Sequence, residues 1–581
     1  MMMRLLPFLL LLGIGLAMPL TGNDYWGMIV TRIAVYWILI AGLNLIVGYA
    51  GQLAIGYVAL FTLGSYTTAV LAAGNAFAPM PTLAALALAG VAGAVFGVVV
   101  GLPALRLRTF YFAITTLGFA TIVTQIALAW QPVTGGGIGV VGPVLPEPFD
   151  TTWGLLYFCL GFASIATWIT ANVANSRFGR ALVAVRDADV AAEATGIAKP
   201  PLLIMVFILA GALAAMAGGL FAALQTYITP DAFTFELSLL FFIAVLIGGR
   251  GSILGPLLGT IILTLLPEIA APLAAWSTFL YAALLLVIVL AVPGGIAALL
   301  DRRNRKPLPA ARAITPRPDA VRELIAHATQ PTSLVLRGVT LAFGAVRAVD
   351  GLDLEVKPGQ IHGLIGPNGS GKTTTLNLIS GYYRPQSGSM SLGGRTLAPG
   401  ISTDRAGHGI ARTFQTPRLI GEASVLENVM IGGTIQGKAS FVEAMFSLPR
   451  HRADERELEA RARLALHAVG LDGLAEFRAD RLQHSELRFM EIARALMLRP
   501  AFLLLDEPAA GLAHEEIRRL GELIQAVRDA GTGVLLVEHH ADLIFAICEE
   551  VTVLNLGKIL AAGAPEMVRV HKVVVSAYLG A

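Results

Sequence analysis

Apolar positions are unevenly spread along the chain. Long hydrophobic runs crowd the first 300 residues, at roughly 5–20, 27–48, 51–74, 80–102, 109–131, 152–172, 201–227 and 277–298. Each approaches the ~20 residues that a helix needs to cross a bilayer. Two shorter runs, about 236–249 and 253–268, are separated by Gly248-Gly249-Arg250-Gly251-Ser252. From Leu334 onward the pattern changes to short apolar stretches alternating with amphipathic ones, the signature of strands interleaved with helices. The expected fold is therefore an N-terminal polytopic α-helical membrane bundle joined to a C-terminal α/β domain. The expected boundaries are 1–300 for the bundle, 301–333 for a linker and 334–581 for the α/β domain.

Basic residues give the bundle an orientation. Arg4, then Arg106 and Arg108, then Arg177, Arg180, Arg186 and Lys199, then Arg302, Arg303, Arg305 and Lys306 should share the cytoplasmic side. The spans thread through those points if the two short runs each cross, or together form a hairpin with Arg250 inward, which gives about ten crossings. Met1 to Leu20 carries one Arg ahead of an apolar core; another span follows with no exported soluble domain, so it reads as an uncleaved first span. Glycine and alanine abound in the spans, as in Gly211-Ala212-Leu213-Ala214-Ala215-Met216-Ala217-Gly218-Gly219, and small residues let helices approach closely.

Composition supports this division. Only 14% of the 581 residues are charged, and the mean hydropathy of +0.70 is too high for a soluble chain of this length. The net charge of +3 does not indicate nucleic acid, because the basic residues sit where a cytoplasmic membrane face would place them. Two cysteines, Cys159 and Cys548, give no disulfide framework. Acidic residues within the spans are scarce, so no proton or sodium relay is evident and any transport must draw its energy from elsewhere in the chain. Asn175 to Pro200 is polar and helix-prone, too charged to cross and too long for a tight turn; it reads as a cytoplasmic helical loop that could dock on a partner domain, although composition alone favours a solvated loop. Asp301 to Ser333, basic and then rich in proline, reads as an extended linker.

The chemistry lies in the second half. Gly366-Pro367-Asn368-Gly369-Ser370-Gly371-Lys372-Thr373 follows a short buried strand, Ile361 to Ile365, and opens a helix that begins at Thr374. Glycines there let backbone N–H groups turn onto phosphate oxygens, Lys372 adds a charge near the terminal phosphates, and the Thr373 hydroxyl is placed for Mg²⁺. Further on, the apolar run Ala501 to Leu505 ends in Asp506-Glu507. A buried parallel strand emerging there would set Asp506 near the metal and Glu507 near an attacking water. Val534-Leu535-Leu536-Val537-Glu538-His539 reads as another strand, ending in a His that could reach the γ-phosphate.

The order of these parts resembles the nucleotide-binding domain of ATP-binding cassette (ABC) transporters across essentially all of 334–581. That resemblance implies ATP and Mg²⁺ as ligands, with Gly366 to Thr374 on the phosphates and Thr373, Gln415 and Asp506 around the metal. It makes Glu507 the general base, His539 the switch histidine and Phe343 the aromatic that stacks on adenine. Gly409 to Leu419, Asp506 to Leu512 and the terminal Ala577-Tyr578-Leu579-Gly580 are similar to the ATPase subunit of branched-chain amino acid uptake systems. Leu43 to Gln52, Leu105 to Arg108 with Thr116 to Phe119, Gly179 to Gly196, and Gly248 to Ser252 resemble the permease subunit of those systems. By this resemblance Arg180, Arg186, Asp187 and Gly196 belong to the coupling element that rests on the ATPase. One segment departs from the family: where it carries Leu-Ser-Gly-Gly-Gln, this chain has Leu482-Gln483-His484-Ser485-Glu486, a degenerate signature. Ala513 also stands where the family often has Asn or Asp.

The resemblance implies ATP-driven import of a small organic solute across a bacterial inner membrane, a branched-chain or other hydrophobic amino acid foremost. Urea, short amides or aromatic acids are the alternative solutes, and an ATP-gated regulatory membrane module is the alternative class. The implied partners are a second permease subunit and a second ATPase subunit, or a second copy of this chain, together with an extracytoplasmic solute-binding protein and membrane lipid.

Overall fold

A computed structural model describes residues 2–74, 78–107, 109–270, 314–325 and 333–571, with isolated positions between 276 and 300 and at 573–574. Two compact units divide the chain. The first comprises Met1–Arg186, Lys199–Asp301 and the short insertion Phe441–Ser447; the second comprises Asp187–Ala198, Arg302–Ser440 and Leu448–Ala581.

In the first unit the apolar runs form helices α1 (Met2–Ala17), α2 (Asp24–Asn44), α3 (Val58–Ala73), α4 (Thr82–Ala104), α5 (Thr109–Ala129), α6 (Thr152–Ala174), α7 (Arg177–Asp187), α9 (Lys199–Leu224), α10 (Phe235–Gly248) and α11 (Leu254–Ala270). Helix α8 (Asp189–Ala194) belongs to the second unit. Among the described residues seven helices are long and apolar enough to span a membrane, and two more apolar helices, Phe8–Thr21 and Leu254–Ile269, are shorter. The run at 277–298 lies largely outside the described residues, so the described helices do not reach the expected ten crossings. Polar residues start several spans. The side chains of Asn23, Thr151 and Thr234 accept from backbone N–H groups in the first turns of α2, α6 and α10.

Helix α9 is the buried axis of this unit. Gly93 of α4 and Gly211 of α9 face each other so closely that a Cβ on either would collide with the other's carbonyl oxygen. Gly64 of α3 meets the Ala215 carbonyl in the same way, and Gly218 of α9 meets that of Phe61. In lipid, apolar burial gives helices little reason to associate, so close backbone approach through such residues has to supply the dispersion contact. Beside these seams, Tyr36, Phe61, Phe221 and Phe241 pack ring against ring with centroids 5.0–6.3 Å apart.

The second unit contains two sheets. Strands β1 (Leu334–Phe343), β2 (Val346–Val356), β4 (Ser387–Leu392) and β5 (Arg395–Thr396) form an antiparallel sheet in the order β2-β1-β4-β5. Strands β3 (Ile361–Ile365), β6 (Ile410–Arg412), β7 (Phe502–Asp506), β8 (Gly533–Val537), β9 (Glu550–Asn555) and β10 (Lys558–Gly563) form the second, in the order β10-β9-β3-β8-β7-β6. All its pairings are parallel except that of β9 with β10. Every residue of β3, β7 and β8 is buried, as expected of parallel strands covered on both faces. One core fills the space between the two sheets and a second lies on the other face of the parallel sheet, among helices that include α15 (Pro449–Val469), α16 (His484–Leu496) and α17 (His514–Asp529).

The stretch expected to be an extended linker is described only over 314–325, and there the chain is folded. Helix α12 (Pro318–Ile325) buries Ala320, Val321, Leu324 and Ile325 in the second core, with Ile314 just ahead of it. The Arg317 N–H donates to the Ala468 carbonyl, and its guanidinium pairs with Asp472 at 2.8 Å. The reason is visible in the sequence: the apolar positions 320, 321, 324 and 325 share one face of a helix whose first residue is Pro318.

Candidate functional site

The glycine loop lies between β3 and helix α13 (Lys372–Ile379). Gly366, Gly369 and Gly371 all have positive φ, at 152°, 80° and 104°. A Cβ at Gly366 would strike the Leu554 carbonyl and one at Gly371 the Ala348 carbonyl, so the cradle admits only glycine at both points. Asn368 and Thr373 are exposed, Pro367 and Thr374 half-buried. Lys372 is buried and donates to the Gly366 and Pro367 carbonyls at 2.7 and 3.0 Å. Burial lowers its pKa, opposed by the nearby Glu507 and Asp506 carboxylates. The Ser370 hydroxyl is buried with no protein partner. An inward-turned loop, an ammonium folded along it, an orphaned hydroxyl and an exposed Thr373 together fit a polyphosphate with a divalent cation.

The carboxylates sit at the end of β7. Register pairs Asp506 with Val537, so the residues following β7 and β8 emerge side by side. Asp506 is buried and pairs with Arg412 at 3.1 Å; Arg412 also donates to Asn377 at 2.6 Å and Ser380 at 2.8 Å, which ties β6 to α13. Burial raises the Asp506 pKa, with Arg412 pulling against it. Glu507 stands in the left-handed region at φ 47°, its N–H held by the Val537 carbonyl at 2.8 Å. That strain turns its side chain between two partners. Gln415 Nε2 donates to one oxygen at 2.7 Å, and His539 Nε2 lies 3.0 Å from the other. Two residues far apart in the chain thus converge on the carboxylate of a third.

Sequence reasoning missed the supports. Buried Glu538 accepts from the Ala509 N–H at 2.6 Å and the His539 N–H at 2.9 Å, so it fixes both the turn after Glu507 and the histidine. Arg488 of α16 donates to the Phe414 carbonyl at 2.9 Å and also to that of Gln415, which locks the Gln415 loop onto α16. Glu491, beside Arg488 and Arg494, is buried with its pKa raised by desolvation. The only available signal was the placement of charged residues on an otherwise apolar helix. Phe343, half-exposed at the end of β1, packs edge-on against Tyr383 at 5.2 Å.

Leu482 to Glu486 lead into α16. Gln483 is its N-cap, the Glu486 carboxylate accepts from the Gln483 N–H at 2.8 Å, Ser485 is buried, and His484 Nε2 lies 3.0 Å from the Ala510 carbonyl. The chain's own carboxylate therefore occupies one of the donors at this helix start. Of the expected coupling residues, Arg180 caps backbone at Asn175 and Arg186 donates to the Gly48 carbonyl, where Asn44 bonds the Ser252 carbonyl at 2.8 Å. Asp187 and Gly196 belong to the second unit, where Gly196, at φ 86°, packs against Ile435 and Ala406.

Comparison with known proteins matches residues 25–292 to the permease component of branched-chain amino acid transport systems and residues 349–510 to the ABC transporter family. The high-affinity branched-chain amino acid transport ATP-binding protein BraF of Pseudomonas aeruginosa is 39% identical over 250 residues, 42% of this chain and 97% of that protein. LivG of Escherichia coli K12, of the same description, is 38% identical over 248 residues, again 42% and 97%. A crystal structure of a nucleotide-free ATP-binding cassette from an ABC transporter aligns at 30% identity over 43% of this chain and all of that one, with a TM-score of 0.38.

Proposed function

Because the chain belongs to the ABC transporter family of branched-chain amino acid systems, with a permease component and an ATPase on one polypeptide, we propose that it imports a branched-chain or other hydrophobic amino acid. ATP hydrolysis coupled to transport is the activity of such a chain. The observation that carries the reading is the convergence of Gln415 and His539 on the two oxygens of Glu507, beside a buried Asp506 and the glycine loop.

Gly366 to Thr374 hold the phosphates and Phe343 offers its ring to the base. Thr373, Asp506 and Gln415 are the residues that would hold Mg²⁺, whose chemistry is to neutralise charge on the β- and γ-phosphates. Glu507 accepts a proton from water as that water's oxygen bonds the γ-phosphorus and the bond to the β-phosphate oxygen breaks, leaving ADP and phosphate. Gln415 and His539 hold the carboxylate in line, and Arg488 couples the Gln415 loop to α16. The segment Arg180 to Gly196 transmits ATPase closure to the bundle. In this reading the α/β domain is cytoplasmic and the bundle lies in a bacterial inner membrane. A second permease, a second ATPase or a second copy of this chain, and an extracytoplasmic binding protein complete the machine.

A second reading, an ATP-gated regulatory module, draws on one observation: the signature segment departs from the family's, and Glu486 there occupies the Gln483 N–H at the start of α16. Solute uptake into membrane vesicles supplied with binding protein separates the two. Glu507→Gln should cut ATP-dependent accumulation by about 100-fold or more, the scale of a lost general base, while nucleotide still binds. Equal accumulation by variant and parent would remove the transport reading.

A further inference from the structure

The insertion Phe441–Ser447 is a short helix, α14 (Phe441–Met445), followed by a turn, and it packs within the same unit as the membrane helices. Phe441 packs edge-on to Phe178 of α7 at 5.2 Å, Ala444 is buried, and the Met445 carbonyl accepts from Asn172 of α6 at 2.9 Å. Val442 and Phe446, four residues apart, share the opposite side and are 57% and 42% exposed.

This apolar side is continuous with another. Helix α6 qualifies as a membrane span, yet only 33% of its apolar stretch is buried by the protein. Ile165 and Trp168, 53% and 47% exposed, lie on its outer face, and Trp168 meets the Phe446 ring at 6.0 Å. Trp168 is near the α6 end that leads to the basic residues Arg177 and Arg180, the depth at which tryptophans mark the boundary between acyl chains and headgroups. Lys438, Arg450 and Arg452 flank the insertion in sequence, as charged residues flank interfacial segments.

We propose that Phe441–Ser447 is an interfacial foot: Val442 and Phe446 enter the headgroup–acyl boundary of the bilayer beside α6. The proposal rests on the reading above that α6 crosses the membrane, with its Ala174 end, which leads to Arg177 and Arg180, on the cytoplasmic side.

Spin labels placed on the full-length chain in phosphatidylcholine–phosphatidylglycerol vesicles test it, through Val442→Cys, Ile165→Cys and Arg456→Cys; both native cysteines are buried. Collision with oxygen, which concentrates in lipid, is compared with collision with a water-soluble nickel chelate. The oxygen-to-nickel ratio at 442 should approach that at 165 and exceed that at 456 by about threefold or more. A ratio at 442 equal to that at 456 would overturn the foot, as would protection from both reagents, which would mean that a protein surface covers it. A water-like ratio at 165 would instead overturn the membrane placement of α6, so the two failures are distinguishable. Val442→Asp, paired with a label at 446, should lower the ratio there; an unchanged ratio also counts against the foot.

Discussion

Leu324→Ala tests whether α12, which falls outside both matched family regions, is part of the ATPase fold. Leu324 is 2% exposed and its neighbour Val321 0%, both within the core that includes residues of α15 and α17. Truncating such a leucine removes its transfer energy and leaves a cavity, a loss of about 2–5 kcal/mol. With a loss of about 3 kcal/mol and a urea slope of about 2.5 kcal/mol per molar, the unfolding midpoint should fall by about 1.2 M. All six tryptophans lie at or before residue 276, so intrinsic fluorescence reports the membrane half. Retention of a fluorescent ATP analogue across a urea series reports the other half. Leu324→Met, which conserves volume, should lose less than about 1.5 kcal/mol. Arg317→Ala, which breaks a half-exposed ion pair, should lose about 1 kcal/mol or less. A Leu324→Ala midpoint no lower than that of Arg317→Ala would refute the claim that this stretch is core.

Gln415→Ala and His539→Ala should each lower ATP turnover by about 10-fold or more with nucleotide affinity little changed, since both residues touch the Glu507 carboxylate; a matching rise in Kd with turnover intact would place them in binding instead. Gly93→Val should prevent the close approach of α4 and α9, with an overpacking penalty of at least about 1–3 kcal/mol, and should reduce the monodisperse yield in detergent; an unchanged elution profile would contradict the packing. His362 in β3 has its pKa lowered by burial, partly offset by Glu550, so the unfolded chain binds that proton more strongly. Stability from this group is present above about pH 6.5 and is lost as pH falls below it, by about 1.4 kcal/mol for each unit of depression. The urea midpoint of the ATPase half should therefore drop between pH 7.5 and 5.5, and His362→Gln should flatten that drop; equal slopes would exclude it.

The glycine loop was legible because its chemistry is local: strand, positive-φ glycines, lysine and helix are consecutive, and each is specified by its own residue type. The parallel strands were legible for a similar reason, since burial on both faces leaves an unbroken apolar run. Glu538 and Arg488 were not legible, because a buried charge is defined by partners brought to it from elsewhere, here Ala509 and the Gln415 loop. The Pro-rich stretch misled because Pro318 suggests extended chain, whereas at the first position of α12 it favours the helix.

Sequence alone determined that one half of this protein is solvated by lipid and the other cradles phosphate, since hydropathy and a contiguous loop motif need no folding to be recognised. Tertiary structure decided that Gln415 and His539 share the Glu507 carboxylate, that Gly93 faces Gly211, and that Phe446 joins Trp168 on an outward apolar face. The physical reason is the range of the forces involved. Local conformational preference and bilayer transfer act on neighbouring residues, whereas hydrogen-bond convergence and close packing exist only once distant segments have been brought within a few ångströms.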